Sequence, residues 1–384
     1  MLHRSNLHSK TVALPETFPT MIDMMFFKSY LQRMKTDFLV QPDSASRIRR
    51  GPTVAEIAQA AGVGTATVDR VLNGRSKGKG ATRQRIMEAL SRLSAASTAF
   101  ENIESKLLRL AFLCDSGESF HSTLQAAVQD TVRHQPNITA TFEAVTTSQV
   151  DAIKFANAIE RAAEQSDALI IVAREDLTIN RAIRNVIARG IPVICLTTDL
   201  RTADRTAYVG NEQTSAGATA ACLMGQAVGN REGNILLVYS APYRCQEERE
   251  LGFRRVLRSE YPLLRVEERV NSQDDTEYVY RNVVRFIEDH GPPAGIYNVA
   301  AGNIGVGKAL QEFDLAGKTF FIGHELNANS RLLLETGVMS VAIGHDVAQE
   351  IEAALDCVRM ALDGKQILSP PRTRVLIHTK YNCI

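Results

Sequence analysis

The chain has 384 residues, of which 45% are hydrophobic and 23% are charged, and these ordinary globular values exclude disordered and fibrous classes. At about 100–200 residues per domain, this length predicts two to three domains, each with a sizeable core. The 44 basic and 43 acidic residues leave a net charge of only +1, so preference for a charged partner must come from how charge is distributed.

The six cysteines are far apart and include no C-x-x-C pair, which disfavours a zinc or disulfide framework and favours a reducing compartment. No apolar stretch reaches the roughly 18–20 residues that a membrane span needs. Residues 21–31 are apolar but interrupted by Asp23 and Lys28, and no small-residue cleavage site follows them. We therefore expect a cytoplasmic protein.

Residues 1–50 show weak periodicity and scattered Ser, Thr and Pro, so we expect a poorly ordered extension with one short helix over 22–34. The alternative is a start codon assigned too early, because four methionines would each begin a shorter chain: Met21, Met24, Met25 and Met34.

Positive charge is concentrated between residues 47 and 92, which hold ten basic and three acidic residues and so a net charge of +7. Such asymmetry inside a neutral chain is typical of a nucleic-acid-binding module. A solvated basic face without a partner is the alternative interpretation.

Three short helices are predicted in this basic region. Thr53 with Glu56 forms a capping box, and Gly62 to Gly64 makes a tight turn before a second helix over 65–73. The predicted buried positions recur at helical spacing and are Val54, Ile57, Ala58, Ala61, Val68, Val71, Leu72, Ile86, Ala89, Leu90 and Leu93. Two helices around a glycine turn with a third behind them predict a helix-turn-helix, whose second helix enters the major groove.

The run PTVAEIAQAAGVGTATVDRVLNGRS followed by ATRQRIMEALSRL resembles the headpiece of the LacI/GalR family of bacterial transcription regulators over about 40 contiguous residues. The resemblance implies that Thr65, Ala66 and Arg70 read bases, and Arg donates bidentately to guanine while small side chains touch thymine methyls. It implies phosphate-contacting or helix-positioning roles for four further residues: Thr53, Val54, Thr67 and Asn73.

The chain departs from the family pattern at three places. Gly64 stands where Ser usually opens the recognition helix, and Asp69 stands where Ser is common. The Asp69 carboxylate would accept from cytosine N4 or hold Arg70 in position. Residues 94–110 contain Leu107 and Leu108 without the family's usual spacing for a minor-groove wedge, so we expect weak or absent kinking of the operator.

From Leu107 onward, nine apolar runs alternate with amphipathic stretches, at 107–114, 137–145, 168–173, 191–196, 234–240, 263–270, 294–300, 318–323 and 338–344. This alternation is typical of βαβ units and parallel sheets, and nine strands predict two α/β lobes. The region is similar to the type I periplasmic-binding-protein fold, with landmarks YVGNEQTSAGATAA, EERELGF, YNVAAGNIGVGKAL and FIGHEL. That resemblance implies crossings between lobes near Asn211, His345 and Gly364.

The expected organisation is therefore a small all-α helix-turn-helix domain followed by a two-lobed α/β domain like a type I periplasmic-binding protein. The predicted boundaries are an extension at 1–50, the DNA-binding domain at 51–95, a linker at 96–106 and a ligand-binding and dimerisation domain at 107–384. Ligands of open α/β sheets bind in the cleft at the carboxyl ends of the strands.

Catalytic motifs are weak in this sequence. The glycines of Gly302-x-x-Gly305-x-Gly307 have neither the dinucleotide nor the Walker spacing, so we interpret them as close helix–strand packing. No G-x-S-x-G or H-E-x-x-H is present, and the eight histidines show no metal-ligand spacing. We expect no enzyme activity, no cofactor and no metal ion.

Polar side chains of the types that satisfy sugar hydroxyls follow many of the predicted strands, with an aromatic ring for a sugar face. The candidate ligand-binding residues are Asp115, Glu118, Phe120, His121, Arg174, Thr197, Asp199, Glu247, Arg249, Asn303, His324, Glu325 and His345. Helix capping or surface ion pairing is the alternative role for several of them. The histidines would donate to hydroxyls, make affinity pH-dependent near neutrality, or hold an acidic sugar or phosphate.

In the family, Asp is commoner where Glu325 stands, Gln where His345 stands and Asn where Ala300 stands. Without Trp, ring stacking falls to Phe120 and to Tyr243 or Tyr297. Pentoses, hexoses, polyols and cyclitols all suit this mixture of groups.

The resemblance implies a cytoplasmic homodimer that binds double-stranded operator DNA, represses sugar or polyol uptake or catabolism genes, and is released by its small-molecule inducer. A solute-binding protein of the same fold with a vestigial DNA module is the alternative, and an enzyme using the cleft is a weaker one. An activator, a repressor that needs a corepressor, and a tetramer also remain open.

Overall fold

The computed structural model describes residues 53–72, 82–92, 107–266, 269–367 and 372–383. The chain divides into two compact units between residues 98 and 99. The predicted extension at 1–50, the linker at 96–106, and the roles assigned to Asn73 and Leu93 lie outside the described residues.

The small unit contains helices α1 (Val54–Ala61), α2 (Thr65–Leu72) and α3 (residues 82–92). The predicted capping box is present, since Thr53 Oγ1 accepts from the Glu56 backbone N–H and the Glu56 carboxylate accepts from the Thr53 N–H at 2.8 Å. Gly62 ends α1 in the left-handed region at φ +63°, which favours glycine. The helix-turn-helix prediction is confirmed.

A small core joins the three helices of this unit, formed by Ile57, Ala58, Ala61, Val68, Ile86 and Ala89. The prediction that Leu72 is buried is wrong, because this side chain is 41% exposed at the last residue of α2, beyond the core that Val68 fills. Val54, at the first residue of α1, is also exposed.

The first lobe of the larger unit is built on a parallel sheet in the order β12-β5-β4-β3-β1-β2. Its strands are β1 (Leu108–Ser116), β2 (Ile138–Thr146), β3 (Ala168–Val172), β4 (Val193–Leu196), β5 (Ala207–Asn211) and β12 (Arg372–Thr373). Helices α4 (Glu118–His134) and α12 (Val347–Leu362) share one core with the sheet. Helices α5 (Ala152–Gln165) and α6 (Leu177–Ala188) share another.

The second lobe has a sheet in the order β13-β11-β10-β9-β6-β7, with β8 beside β6 and only β13 antiparallel to its neighbour. Its strands are β6 (Gly233–Tyr239), β7 (Leu264–Arg265), β8 (Arg269–Asn271), β9 (Gly295–Asn298), β10 (Phe320–His324), β11 (Val341–Gly344) and β13 (Leu376–His378). Its helices are α7 (Gln213–Val228), α8 (Arg244–Glu260), α9 (Thr276–His290), α10 (Asn303–Glu312) and α11 (Ala328–Glu335). The two-lobed α/β prediction is therefore confirmed.

The chain crosses between the lobes three times. The first crossing follows Asn211, at the end of β5, and the second lies between Gly344 and Val347, as predicted. The third lies at residues 374–375, between β12 of the first sheet and β13 of the second. The predicted crossing at Gly364 is wrong, because β12 extends the first sheet beside β5 before the chain leaves that lobe.

Two details of the strands also differ from the prediction. The run 263–270 contains two short strands, β7 and β8, which both pair with β6. Strand β5 was missed, because its five residues do not form a continuous apolar run. Among the described helices, none is long and apolar enough to cross a membrane.

Candidate functional site

The exposed face of α2 carries the predicted base-reading residues. Thr65, Ala66, Asp69 and Arg70 are exposed, whereas Thr67 is partly buried and Val68 turns into the core. Arg70 Nε donates to the Ala66 carbonyl at 3.0 Å, which holds the guanidinium along the helix. Thr53 and Val54 are exposed at the start of α1, where the helix N-terminus favours an anion such as phosphate.

Gly64 precedes α2, and its carbonyl accepts from the N–H groups of Thr67 and Val68. A Cβ added at Gly64 would meet no heavy atom within 4 Å. The serine that the family usually has here would therefore fit, so the departure does not reflect a steric requirement.

A cavity of about 640 Å³ lies between the two lobes of the larger unit. Its walls include residues at the start of five helices, namely α4, α8, α9, α10 and α11. The first N–H groups of a helix have no partner within the helix, so a helix N-terminus favours a carboxylate or a ligand oxygen nearby.

Eight of the thirteen predicted ligand-binding residues line this cavity: Asp115, Glu118, Phe120, Thr197, Arg249, Asn303, His324 and Glu325. The other five lie behind its wall or outside it: His121, Arg174, Asp199, Glu247 and His345. The cavity also contains residues that the sequence did not single out, among them Gln246, Asp274, Lys308 and Asn327.

Asp115, at the end of β1, is fully buried and held by two partners. Arg174 donates to both carboxylate oxygens, with Nε 2.6 Å from one and a terminal nitrogen 2.8 Å from the other. The Tyr243 hydroxyl donates to Asp115 Oδ1 at 2.6 Å. Arg174 therefore neutralises and orients Asp115 from behind instead of facing the cavity.

Asp274, between β8 and α9, is a second carboxylate that sequence reasoning missed. It accepts from Thr147 Oγ1 at 2.6 Å and from the Ala301 N–H at 2.8 Å. Burial raises the pKa of its carboxyl, against the opposing effect of these hydrogen bonds. The sequence signal for Asp274 was the polar cluster SQDDT at 272–276. It was missed because the run 263–270 that precedes it was interpreted as one strand.

The two lobes touch each other across the cavity in this structure. Tyr243 and Asp274 belong to the second lobe, whereas their partners Asp115 and Thr147 belong to the first. A Cβ at Gly117 of the first lobe would lie 2.9 Å from the Cβ of Ala301 in the second, so only glycine allows this approach. The lobes are therefore in direct contact at this side of the cavity.

Glu325 follows β10 and reaches the cavity with a side chain that is 22% exposed. Its two oxygens lie 3.7 Å from an Arg249 terminal nitrogen and 3.0 Å from His345 Nε2. Burial raises the pKa of the Glu325 carboxyl, but the charges of His345 and Arg249 outweigh burial and lower it below its ordinary value. Glu325 is thus an ionised acceptor that faces the ligand space.

His345 lies behind Glu325 and is buried, so the prediction that it contacts the ligand is not supported by its position. Its Nδ1 is 2.8 Å from the Glu350 carboxylate, which is itself fully buried. Burial lowers the pKa of His345, but the two carboxylates outweigh burial and raise it well above its ordinary value. The imidazole is held as a cation between two anions.

Two other histidines near the cleft, His324 and His121, have lowered pKa values. His324 is buried with Nε2 2.9 Å from the Tyr297 hydroxyl, and burial lowers its pKa well below the ordinary value. Burial also lowers the pKa of His121, whose Nε2 has no hydrogen-bond partner among the described residues. The pKa values of His345 and His324 are thus shifted in opposite directions from the ordinary value, and the pH dependence of ligand affinity stays a hypothesis.

Three further candidates for ligand contact lie outside the cavity wall. Asp199 pairs with Arg205 at 2.7 Å and with Arg201 at 3.4 Å, so its carboxylate serves a local ion-pair cluster. Glu247 is exposed in the first turn of α8, away from the cavity. Tyr297 is fully buried with its ring 4.4 Å from that of Phe253, so it offers no face to a sugar.

The glycines at 302–307 serve packing, but between helices and not between a helix and a strand as predicted. A Cβ at Gly305 would overlap the Thr276 carbonyl of α9, and a Cβ at Gly307 would lie 2.6 Å from Leu333 of α11. Gly302 is left-handed at φ +89° and precedes α10. These contacts let α10 approach its neighbours and place Asn303 at the cavity.

Comparisons with known proteins agree with this architecture. The family of bacterial regulatory proteins of the lacI type matches residues 53–94, and the periplasmic binding protein domain matches residues 111–366. No protein of curated function matches the sequence significantly.

Solved structures of solute-binding proteins share the fold of the larger unit. The glucose-galactose binding protein GanP of Geobacillus stearothermophilus is 18% identical, with a TM-score of 0.65 over 72% of this chain and 99% of that one. An ABC transporter solute-binding protein of Agrobacterium vitis with bound D-fucose is 22% identical, with a TM-score of 0.65 over 71% of this chain and 96% of that one. Another, from Actinobacillus succinogenes with bound D-allose, is 18% identical, with a TM-score of 0.64 over 72% of this chain and 99% of that one.

Identities this low establish the fold of the larger unit but not its ligand. The lacI-type match adds the DNA-binding helices that precede this fold in the chain. The chain belongs to the LacI/GalR family of bacterial transcription regulators, with a helix-turn-helix domain followed by a periplasmic-binding-protein domain.

Proposed function

We propose that this regulator is a cytoplasmic homodimer that represses genes for uptake or catabolism of a sugar or polyol, and that a neutral polyhydroxylated ligand in the cleft releases it from DNA. The observation that carries the proposal is the set of cavity-lining acceptors and donors, which includes Asp115, Asp274, Glu325, Arg249 and Asn303. Hydroxyl groups donate and accept at once, so they are satisfied by such a mixed wall.

Carboxylates outnumber cationic side chains in the wall of the cavity, which disfavours an anionic ligand. Asp115 is paired with Arg174, and Glu325 is paired with both Arg249 and His345. Glu325 keeps lone pairs for ligand hydroxyls while its charge is already compensated, whereas four hydrogen bonds from Arg174 and Tyr243 occupy the Asp115 carboxylate. Phe120 adds an apolar surface at the same cavity, which suits the C–H face of a ring.

Coupling to DNA would follow from lobe closure. A two-fold dimer presents two recognition helices to the half-sites of a near-palindromic operator. A ligand that stabilises one arrangement of the lobes changes the affinity for DNA, and DNA changes the affinity for the ligand by the same factor. Sugar ligands of solved structures with this fold, D-fucose and D-allose among them, support the choice of ligand class.

The proposal is tested by fluorescence anisotropy of the protein on duplexes that tile its own upstream region, at about 150 mM salt. The panel of compounds contains D-glucose, D-galactose, D-fucose, D-allose, D-arabinose, polyols and cyclitols. We expect tight binding to one inverted repeat and weaker binding with one compound. Equal weak binding to all duplexes with a steep salt slope would contradict it.

Two variants separate the parts of the proposal. Arg70→Ala should lose about 10- to 100-fold in affinity for the inverted repeat, since a bidentate base contact is worth roughly 1–3 kcal/mol. Arg92→Ala removes the same charge from an exposed position on α3 and serves as the matched control. If both variants lose affinity equally on all duplexes, only phosphate attraction is present, and sugar binding without an effect on DNA would favour the solute-binding alternative.

A further inference from the structure

Six residues form a closed polar ring beside the three crossings between the lobes, through their side chains and the Thr197 carbonyl. We call it the hinge ring, and its members in order around the ring are Thr197, Gln213, Arg249, Glu325, His345 and Glu350.

Each link of the hinge ring is a hydrogen bond or an ion pair. Gln213 Nε2 donates to the Thr197 carbonyl at 2.9 Å, and Arg249 Nε donates to Gln213 Oε1 at 2.8 Å. Arg249 then meets Glu325, Glu325 meets His345 and His345 meets Glu350 at 3.7, 3.0 and 2.8 Å. Thr197 Oγ1 closes the ring by donating to Glu350 Oε2 at 2.9 Å.

Every crossing between the lobes contacts the hinge ring. Gln213 lies just after the first crossing, and His345 lies within the second. Thr373, the last residue before the third crossing, donates through Oγ1 to Glu350 Oε1 at 2.8 Å. One connected set of side chains therefore links all three segments that bend when the lobes move.

The same ring faces the ligand space, because Thr197, Arg249 and Glu325 line the cavity. Thr197 and Glu325 also have left-handed backbones, at φ +61° and +66°, among the six non-glycine residues described with positive φ. Such conformations are strained, and they persist where the surrounding structure holds them for a functional reason. The charges alternate around the ring from Arg249 to Glu350, so displacing one member weakens its neighbours.

Close helix packing places Arg249 in the ring. A Cβ at Gly217 of α7 would overlap the Arg249 carbonyl of α8, so glycine lets the two helices approach. That approach brings the buried Arg249 within reach of Gln213 on α7.

We propose that His345 is a positioning residue, and that the hinge ring transmits engagement of Glu325 in the cleft to the three crossings. The proposal rests on the proposed function in that Glu325 is taken as a ligand acceptor. His345 itself does not touch the ligand; it fixes Glu325 on one side and Glu350, with Thr197 and Thr373, on the other.

Hydrogen–deuterium exchange of the ligand-free full chain tests the proposal. Glu325→Gln should speed exchange in the peptides that cover residues 195–199 and 372–378 by roughly tenfold, because weakening the ion pairs of a buried network loosens its neighbours by such factors. Neither peptide contains Glu325. Glu118→Gln is the matched control, since Glu118 is an exposed cavity carboxylate outside the ring.

A double-variant comparison shows whether the effect passes through His345. In the His345→Gln background, the Glu325→Gln change should add less than about twofold at residues 372–378. Independent, additive effects would overturn the proposal, and so would unchanged exchange at 372–378 in Glu325→Gln. If His345→Gln does not fold, the Glu325→Gln arm decides alone.

Because this experiment uses no sugar and no DNA, its failure is distinguishable from failure of the proposed function. A regulator that binds no sugar would still show transmission from Glu325. A sugar-responsive regulator without transmission would keep the proposed function and lose the hinge ring.

Discussion

At the Asp115 and Asp274 side of the cleft, hydrogen bonds join the lobes directly, whereas at the crossings the lobes are joined through the hinge ring. We call the two shortest of these bonds, both 2.6 Å long, the closure contacts, namely Tyr243 to Asp115 and Thr147 to Asp274. None of the residues in the closure contacts belongs to a crossing, and each contact joins one lobe to the other, so both contacts must break when the lobes separate at this side. The hinge ring sits on chain segments that remain connected, so it bends instead of breaking.

This difference indicates that the closure contacts and the hinge ring have different functions. Closure contacts set how much of the protein is closed without ligand, since each costs energy to break but carries no information to the crossings. The hinge ring determines how a change at Glu325 in the cleft alters the crossing segments. Changes in the two sets should therefore have different readouts.

The largest effect is expected for Arg174→Ala, which leaves the fully buried Asp115 without its cation. Removing one partner of a buried pair costs about 3–5 kcal/mol, so we expect a loss of that size in the free energy of unfolding. Urea unfolding measures it. The control is Arg133→Ala, whose pair with Asp130 is exposed on both sides and should cost less than about 1 kcal/mol.

His345→Gln should cost about 2–4 kcal/mol, because two buried carboxylates lose the cation between them. A raised pKa means that the stabilising contribution is complete below the unfolded value of about 6.5 and is lost as pH rises through the folded value. The groups that face the ring are Glu325, Glu350, Arg249 and His324.

Urea unfolding of wild type and His345→Gln between pH 5.5 and 9.5 measures this dependence. The difference in stability should be largest near pH 6 and shrink toward the alkaline end. A difference that grows with pH would show that His345 is neutral in the folded protein. Below about pH 4.5 the lowered pKa of Glu325 adds a separate loss as its carboxylate is protonated.

Thr147→Val tests the closure contacts with little change of shape. Asp274 loses the donor at 2.6 Å, and we expect a cost of about 1–2 kcal/mol to the closed arrangement. Small-angle scattering should report a larger radius of gyration than wild type. Exchange at residues 372–378 should stay unchanged, and an increase there would show that the two sets are not separate.

The sequence was sufficient for the helix-turn-helix because its determinants are local. Thr53, Glu56, Gly62 and the apolar positions of α1 and α2 act within a few residues of one another. Leu72 was misjudged because helical spacing does not show where a small core ends. Strand positions were also readable, since parallel buried strands are continuous apolar runs.

The cleft could be predicted only in part, because its chemistry depends on which strand ends meet across the lobes. Asp115 and Glu325 were found since they directly follow predicted strands, but Asp274 and Thr147 required knowledge of that meeting. Arg174 and His345 were predicted to lie beside the ligand. In the structure they lie behind the carboxylates with which they pair. Asp199 was assigned to the cleft although Arg201 and Arg205 follow it closely and compete for its charge.

Adjacent residues at the end of β4 give the smallest and most discriminating comparison. Thr198 Oγ1 accepts from the Cys245 N–H of the second lobe at 3.3 Å, so it resembles a closure contact, whereas Thr197 belongs to the hinge ring. Thr198→Val should cost about 1 kcal/mol or less, because the lost bond is long, and should leave exchange at 372–378 unchanged. Thr197→Val keeps the branched shape at the same left-handed backbone but removes a donor from Glu350, so exchange at 372–378 should increase. If both variants change that segment equally, position along β4 matters more than membership of the ring, and the division between closure contacts and hinge ring would have to be abandoned.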